Sequence, residues 1–168
     1  MLTNGAYLKK LYGDTNALGF KAIDSDFTME IKGFENIYLL TKQFPFPVLS
    51  PAGEIEVPTV GGASVWQPQQ VKQNLQNPIT LQETVAGTIT DLMLKLITKG
   101  GTFDAKIYHG NPEKYLRIAN IDRCFMQLES PDTDFENRSQ VLTITGTLFY
   151  HFFGEYEVGN VATLYGDN

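Results

Sequence analysis

One segment of the chain, residues 88–99, has apolar residues at a helical period. They recur at spacings of three and four, which places them on one stripe of an α-helix; they are Ile89, Leu92, Met93, Leu96 and Ile97. Thr88 is suited to cap the first turn, and Gly100 and Gly101 end the segment. Because a helix of this length is marginal alone in water, its apolar stripe must pack against another part of the chain.

Alternating apolar and polar residues predict strands over much of the remaining chain. Residues 27–32 and 103–108 alternate cleanly. Residues 37–44, 115–118 and 121–128 have the composition of further strands. A chain with this many strand segments and one clear helix is typical of a mainly β protein.

The longest strand is predicted for residues 140–153. Its even-numbered apolar residues share one face; they are Leu142, Ile144, Leu148, Tyr150 and Phe152. Thr143, Thr145 and Thr147 lie on the opposite face. We therefore expect a strand that is packed on one side and wet on the other. The first 25 residues, by contrast, are rich in turn-forming residues and are expected to form only short strands.

These elements predict a mainly β fold in which two packed antiparallel sheets form a sandwich or barrel, with one flanking α-helix at about 88–99. A length of 168 residues and a hydrophobic content of 42% are sufficient for a substantial core. We therefore expect residues 1–168 to form a single domain.

A projecting loop and hairpin is predicted at about 44–67. Three prolines follow Phe44 within seven residues and exclude a strand in the interior of a sheet. Phe44 and Phe46 are therefore expected to be exposed or covered by a partner. Residues 54–60 can pair with residues 63–67 through a tight turn at two glycines.

The stretch 67–77 is dominated by glutamine and asparagine, so it cannot face a core on both sides. Two interpretations remain open. It is either a solvated loop or a strand that turns a polar face toward water or a partner.

Composition excludes some classes of function. A net charge of −6 argues against a protein that grips nucleic acid through its phosphates, although not against a surface past which nucleic acid slides. The single cysteine, Cys124, allows no internal disulfide and indicates a reducing compartment. No window has the length of a signal peptide or of a membrane span, so we expect a soluble protein with no obvious export route and no membrane binding of its own.

The sequence contains no catalytic signature. It has no phosphate-binding glycine motif, no nucleophile elbow and no metal-ligand spacing of His or Cys, and His109 and His151 are isolated. Residues 132–136 imitate the start of a calcium loop but lack its glycine and its bidentate glutamate. Glu54 and Glu56 share a strand face, where a charged edge is expected more often than a hydrolase pair. We therefore predict no catalytic residue, cofactor or metal.

Three segments resemble the tail-tube proteins of contractile-tailed bacteriophages. They are residues 101–110, residues 113–117 and, above all, residues 134–154. The resemblance implies a non-enzymatic structural virion protein whose hexameric rings stack into the inner tail tube for DNA delivery. Its implied partners are further copies of itself and the tail sheath, tape-measure and baseplate proteins, while DNA passes through without specific binding. Such a protein is located in the virion and is assembled in the cytoplasm of the bacterial host.

The resemblance also directs attention to two sets of residues. We assign contact between rings to the projecting segment, with Phe44, Phe46, Glu54, Glu56 and Trp66. We assign the lumen to polar strand faces, with Thr143, Thr145, Thr147 and Gln82. Part of the negative charge would repel phosphate if it lined the bore.

Several alternatives stay open on the sequence alone. Within the same class, the chain is also compatible with a baseplate tube initiator, a tail terminator or the ring protein of a type VI secretion system. A monomeric β-sandwich binding module and a hydrolase that uses Glu54 and Glu56 are alternatives from other classes. Trp66 is either an anchor at an interface or a packing residue.

Overall fold

The computed structural model describes residues 4–165. Two α-helices and nine strands are present in that range; they are α1 (Gly5–Ala17), β1 (Phe27–Ile31), β2 (Thr41–Gln43), β3 (Glu54–Pro58), β4 (Ser64–Pro68), β5 (Asn74–Gln82), α2 (Thr88–Thr98), β6 (Phe103–Gly110), β7 (Tyr115–Leu128), β8 (Thr143–His151) and β9 (Tyr156–Val158). Two short 3-10 helices occupy Asp24–Asp26 and Glu35–Leu39. The predicted mainly β fold is confirmed.

The main sheet is antiparallel, with strand order β1-β6-β7-β8-β5-β2. Strand β7 belongs to both halves of this sheet, because its first part pairs with β6 and β9 and its last part pairs with β8. The ladder shifts register near Arg123, whose backbone has a φ of 46° and whose N–H donates to the Asp104 carboxylate. Such a bulge bends a strand, and here it turns the two halves of the sheet toward one core.

Both halves of the sheet and α2 contribute to a single hydrophobic core. Five strands contribute fully buried residues to it, among them Met29, Ile79, Leu81, Ile107, Ile121 and Leu148. Gly146 lies in the same region, where an added Cβ would collide with the Gln127 carbonyl of β7. A glycine at this position therefore allows the backbones of β7 and β8 to approach closely.

Helix α2 packs on the sheet as predicted. It buries Ile89, Leu92 and Leu96, which contribute on the order of 5–8 kcal/mol as an upper estimate of apolar burial. Met93 is half-buried, but Ile97 is 66% exposed and does not belong to the buried stripe.

The predicted cap of α2 is wrong. Gly87 is the N-cap residue, with a φ of 75°, and Thr88 is the first helical residue. The Glu83 carboxylate replaces the expected hydroxyl, because it accepts the N–H groups of Ile89 and Thr90 and the Thr90 hydroxyl at 2.9–3.0 Å. The helix therefore takes its cap from the preceding loop, where the negative charge faces the positive end of the helix dipole.

Three strand predictions are also corrected. The segment expected to contain only short strands begins with helix α1. The longest strand is β7, with 14 residues, whereas β8 has nine because its partner β5 ends at Gln82. Within 37–44, a 3-10 helix and the three-residue β2 replace the expected strand.

Candidate assembly surfaces

The four predicted lumen residues lie together on one outer face of the sheet. Gln82 is opposite Thr143 in the register of β5 and β8. Thr145 and Thr147 follow on the same face of β8 because side chains alternate along a strand. We call the outward side chains of β5, β8 and residues 125–128 of β7 the polar face.

The polar face is almost free of charge. Its outward side chains are hydroxyls and amides together with Pro78, a stacked pair of phenylalanines and one histidine; they are Asn74, Gln76, Thr80, Gln82, Gln127, Thr143, Thr145, Thr147, Phe125, Phe149 and His151. None of these outward positions is a lysine or an arginine. The face itself therefore offers hydrogen-bonding groups but no lysine or arginine to an anionic polymer, and Lys72 borders it at one end, beside Asn74 and His151.

One cluster of carboxylates lies on the other half of the sheet. These carboxylates line a groove on the outer side of β1, β6, β7 and the segment around β9; they are Glu30, Glu35, Asp104, Asp122, Glu155 and Glu157. Only Lys32 and Lys106 oppose them within this groove. A second group of carboxylates, Glu129, Asp132 and Asp134, borders the predicted lumen residues Thr143 and Thr145.

One edge of β5 is open over most of its length. Backbone N–H groups of Glu83 and Phe152 donate to Leu142 and Gln73, which shows that the odd-numbered residues of β5 are bonded to β8. The even-numbered residues direct their backbone groups to the opposite edge, where β2 reaches only as far as Thr80. Residues 74–78 are therefore available to another strand.

The predicted hairpin is confirmed as strands β3 and β4. Its ladder continues through an isolated bridge between Pro51 and Val71, and we call residues 48–73 the hairpin arm. Each leg of about ten residues extends roughly 30 Å. Within the arm only Gly53 and Val57 are half-buried and all other residues are exposed. A two-stranded ribbon of this kind is marginal alone in water, so a partner is needed to cover it.

The hairpin arm presents two different faces. Glu56 lies directly opposite Trp66, and Glu54 lies on the same face opposite Pro68. Trp66 is 72% exposed, so it does not pack within the described part of the chain. The reverse face is aliphatic, with Ile55, Val57 and Val65.

The other two residues predicted for contact between rings lie elsewhere. Phe44 and Phe46 are half-buried and pack against the core of their own chain, so the expectation of fully exposed side chains is wrong, and their contact with another ring stays a prediction. The Phe46 ring lies 5.1 Å from the Phe27 ring, and the Arg117 guanidinium lies 4.8 Å above it. The Tyr156 hydroxyl completes this root by donating to the Pro47 carbonyl at 2.9 Å. The two phenylalanines thus anchor the arm to the main sheet.

Both histidines make packing or hydrogen-bonding contacts within the chain. His109 stacks on Phe27 at 4.4 Å, and partial burial and the nearby Arg117 charge both lower its pKa. His151 Nδ1 lies 3.2 Å from the Asp122 carbonyl. Glu54 and Glu56 lie on the exposed ribbon, and no group of three potential metal ligands occurs in residues 4–165.

Helix α1 is a surface that the sequence prediction missed. Its large apolar side chains are all 43–69% exposed; they are Tyr7, Leu8, Leu11 and Tyr12. The signal was present, because these positions share a helical stripe and Asn4 caps the helix by accepting the Ala6 N–H at 2.7 Å. The turn-forming Gly5 and Gly13 obscured this pattern.

Solved structures with the same fold come from contractile injection systems. A chain of the sheath–tube complex of an extracellular contractile injection system, PVC, aligns with a TM-score of 0.57 and 17% identity over 86% of this chain and 97% of its own length. A chain of the anti-feeding prophage baseplate aligns with a TM-score of 0.57 and 14% identity, over 85% of this chain and 99% of its own length. A chain of the anti-feeding prophage tube-terminating cap aligns with a TM-score of 0.54 and 16% identity, over 83% of this chain and 92% of its own length. No protein-family profile and no curated protein sequence matches this chain.

The expected resemblance to contractile-tail tube proteins is therefore confirmed at the level of the fold. Within residues 4–165, neither helix is long and apolar enough to cross a membrane.

Proposed function

We propose that this chain is a non-enzymatic structural subunit that self-assembles into hexameric rings, and that these rings stack into the inner tube of a contractile tail for DNA delivery. The observation that carries the proposal is the fold, which this chain shares over 83–86% of its length with chains of contractile injection assemblies. The open edge of β5 and the exposed hairpin arm support it, because both lack a partner within the described part of the chain.

Ring formation is assigned to the open edge of β5. An unpaired strand edge is stabilised when a strand of another subunit completes its hydrogen bonds, and closing a sheet through many strands leaves an aqueous channel. Pro78 is compatible with this role, since its missing N–H falls on the open edge and not in the β8 ladder.

The lumen is assigned to the polar face, including Thr143, Thr145, Thr147 and Gln82. DNA binding depends largely on lysine and arginine contacts to phosphate, which this face lacks. Six copies at −6 each give a ring a net charge of −36. This excess disfavours retention of DNA, while the acidic groove provides a charged surface for the proposed sheath, tape-measure or baseplate partners.

Contact between rings is assigned to the hairpin arm. Glu54, Glu56 and Trp66 provide an exposed face with a large aromatic side chain, which is a favourable anchor when a partner buries it. Phe44 and Phe46 fix the root of the arm and thereby its direction. Assembly would place the protein in the virion tail.

The test is negative-stain electron microscopy across a concentration series, together with elution size. The wild-type chain is expected to form rings with a central hole that elongate into hollow tubes. A variant in which two glycines replace residues 53–69 should remain folded, because Ala52 and Gln70 are already hydrogen-bonded neighbours. It should form rings but no tubes, whereas the Val60→Ser control should form both.

Two results would contradict these assignments. Tubes formed by the shortened variant would refute the role of the arm but not ring assembly. A wild-type protein that stays monomeric at every concentration would refute the proposal and favour a binding module.

A tube terminator or baseplate ring is the second candidate. It is favoured by the fold similarity to the tube-terminating cap and baseplate chains, which is close to that for the sheath–tube complex. Such a protein would form single rings that do not elongate, so the same concentration series separates the two candidates.

A further inference from the structure

Helix α1 lacks the packing that a helix of its length needs. Its 13 residues extend about 20 Å, none of them is buried, and an isolated helix of this length is marginal in water. The described part of the chain does not cover its apolar stripe. Another molecule is therefore needed to stabilise it.

The charges around that stripe restrict the choice of partner. On a helical wheel the apolar residues span one side, with Lys9 beyond one margin and both Asp14 and Lys10 beyond the other. Residues 4–23 contain three lysines and one aspartate, a net charge of +2 within a chain of net charge −6. The complementary surface should be apolar in its centre and acidic at its margin.

The hairpin arm has a face with these properties. Trp66 and Pro68 lie in two successive pairs opposite Glu56 and Glu54. Residues 53–69 contain these two carboxylates and no lysine or arginine, a net charge of −2. This face is also uncovered, so both surfaces lack a partner within the chain.

We propose that α1 of one copy binds the acidic, tryptophan-bearing face of the hairpin arm of a second copy. The leucines and tyrosines of α1 cover Trp66, and Lys9 and Lys10 meet Glu54 and Glu56. Because the two surfaces differ, the contact is heterologous and propagates from copy to copy. The inference rests on the proposed function, in which the arm reaches the next ring, and it identifies α1 as the segment that the arm contacts there.

Charge reversal tests the pairing in the full-length chain. The variants Lys9→Glu/Lys10→Glu and Glu54→Lys/Glu56→Lys should each raise the concentration needed for tube formation by about tenfold or more, because two attractive pairs become repulsive. The combined fourfold variant should return to within about threefold of the wild type. The control Lys95→Glu/Lys114→Glu changes net charge equally on other elements and should have little effect.

Cross-linking between molecules tests the contact directly. Leu8→Cys and Ser64→Cys are prepared as separate proteins and mixed with a short bis-maleimide, which should yield the mixed covalent dimer. The natural Cys124 should not compete, because it is buried and burial raises the pKa of its thiol. The control pairs Leu8→Cys with Asn137→Cys, which lies in the exposed acidic loop.

The outcomes separate this inference from the proposed function. If both charge-reversed variants form normal tubes and no mixed dimer is cross-linked, the contact of α1 with the arm is overturned, while tube formation itself is not. A wild-type chain that forms neither rings nor tubes would overturn the proposed function and the inference with it. A cross-link formed only when both cysteines are on one chain would show that α1 folds back on its own arm, which also overturns the inference.

Discussion

The cap of α2 by Glu83 gives a stability prediction that is independent of assembly. The carboxylate accepts four hydrogen bonds, from the N–H groups of Thr84, Ile89 and Thr90 and from the Thr90 hydroxyl, at 2.8–3.0 Å. Partial burial raises the pKa of Glu83, but these hydrogen bonds together outweigh it and hold the pKa below its ordinary value of 4.5. The ionised form is therefore bound more tightly in the folded state than in the unfolded state.

We expect Glu83→Gln to lower the free energy of unfolding by about 1–2 kcal/mol. The amide keeps one oxygen acceptor but loses the charge at the helix N-terminus, and its NH2 group faces the Thr90 N–H donor. Loss of a cap typically costs about 0.5–2 kcal/mol, and the dipole term about 0.3–1 kcal/mol at a partly solvated site. For a chain of this length the melting temperature should fall by roughly 2–8 °C.

Thermal or urea unfolding followed by circular dichroism at pH 7 and at acidic pH checks this prediction. Because the pKa is lowered on folding, the stabilisation is fully present above pH 4.5 and is lost as the pH falls through the folded-state pKa. The difference between wild type and Glu83→Gln should therefore shrink at acidic pH. Glu136→Gln, in an exposed loop, is the matched control and should change stability little. An equal deficit at both pH values, or no deficit at pH 7, would refute the charged-cap argument.

Further predictions concern the three surfaces. Gln76→Pro should fold, because the N–H of residue 76 lies on the open edge of β5, but it should form no rings in size-exclusion chromatography. The control Leu75→Pro breaks the ladder to β8 and should lower stability. Normal rings from Gln76→Pro would exclude this edge as the contact between subunits. Thr145→Lys should leave folding and tube formation intact, but its tubes should retain short DNA at low salt in a co-sedimentation assay. The control Ser139→Lys, at an exposed position, should not retain DNA. If Thr145→Lys adds no retention, a lumen position for this residue is contradicted. Phe46→Ala should lower stability by about 2 kcal/mol and accelerate proteolysis within residues 48–73, and an unchanged cleavage rate would refute its role as an anchor of the arm.

Much of the fold could be predicted from local sequence patterns. The stripe of α2, the alternation along β8 and the two-glycine turn of the hairpin each depend on residues that are near one another in the chain. Helix α1 carried a weaker pattern, and its two glycines and several other turn-forming residues favoured the prediction of short strands. Its low amphipathic contrast reflects a helix that does not pack on its own core.

The candidate surfaces could be predicted from the sequence only in part. The three threonines were placed on one face correctly, because the side-chain period of a strand fixes it. That Gln82 lies on the same face was decided by the register of β5 and β8. Their position in a lumen stays a prediction. Exposure of Phe44 and Phe46 was predicted incorrectly because proline content excludes a strand but does not reveal which side chains the loop turns inward.

The sequence by itself determined that α2 is helical, that β8 is packed on one side, and where the hairpin turns, because these properties follow from periodicity and backbone preference over a few residues. Tertiary structure alone decided that β7 joins both halves of the sheet through the bulge at Arg123, that Phe46 anchors the arm, and that the edge of β5 stays open. Each of these depends on contacts between residues that are distant along the chain. Local spacing has no information about such contacts, since the partner and register of a strand are chosen by the packing of the whole core.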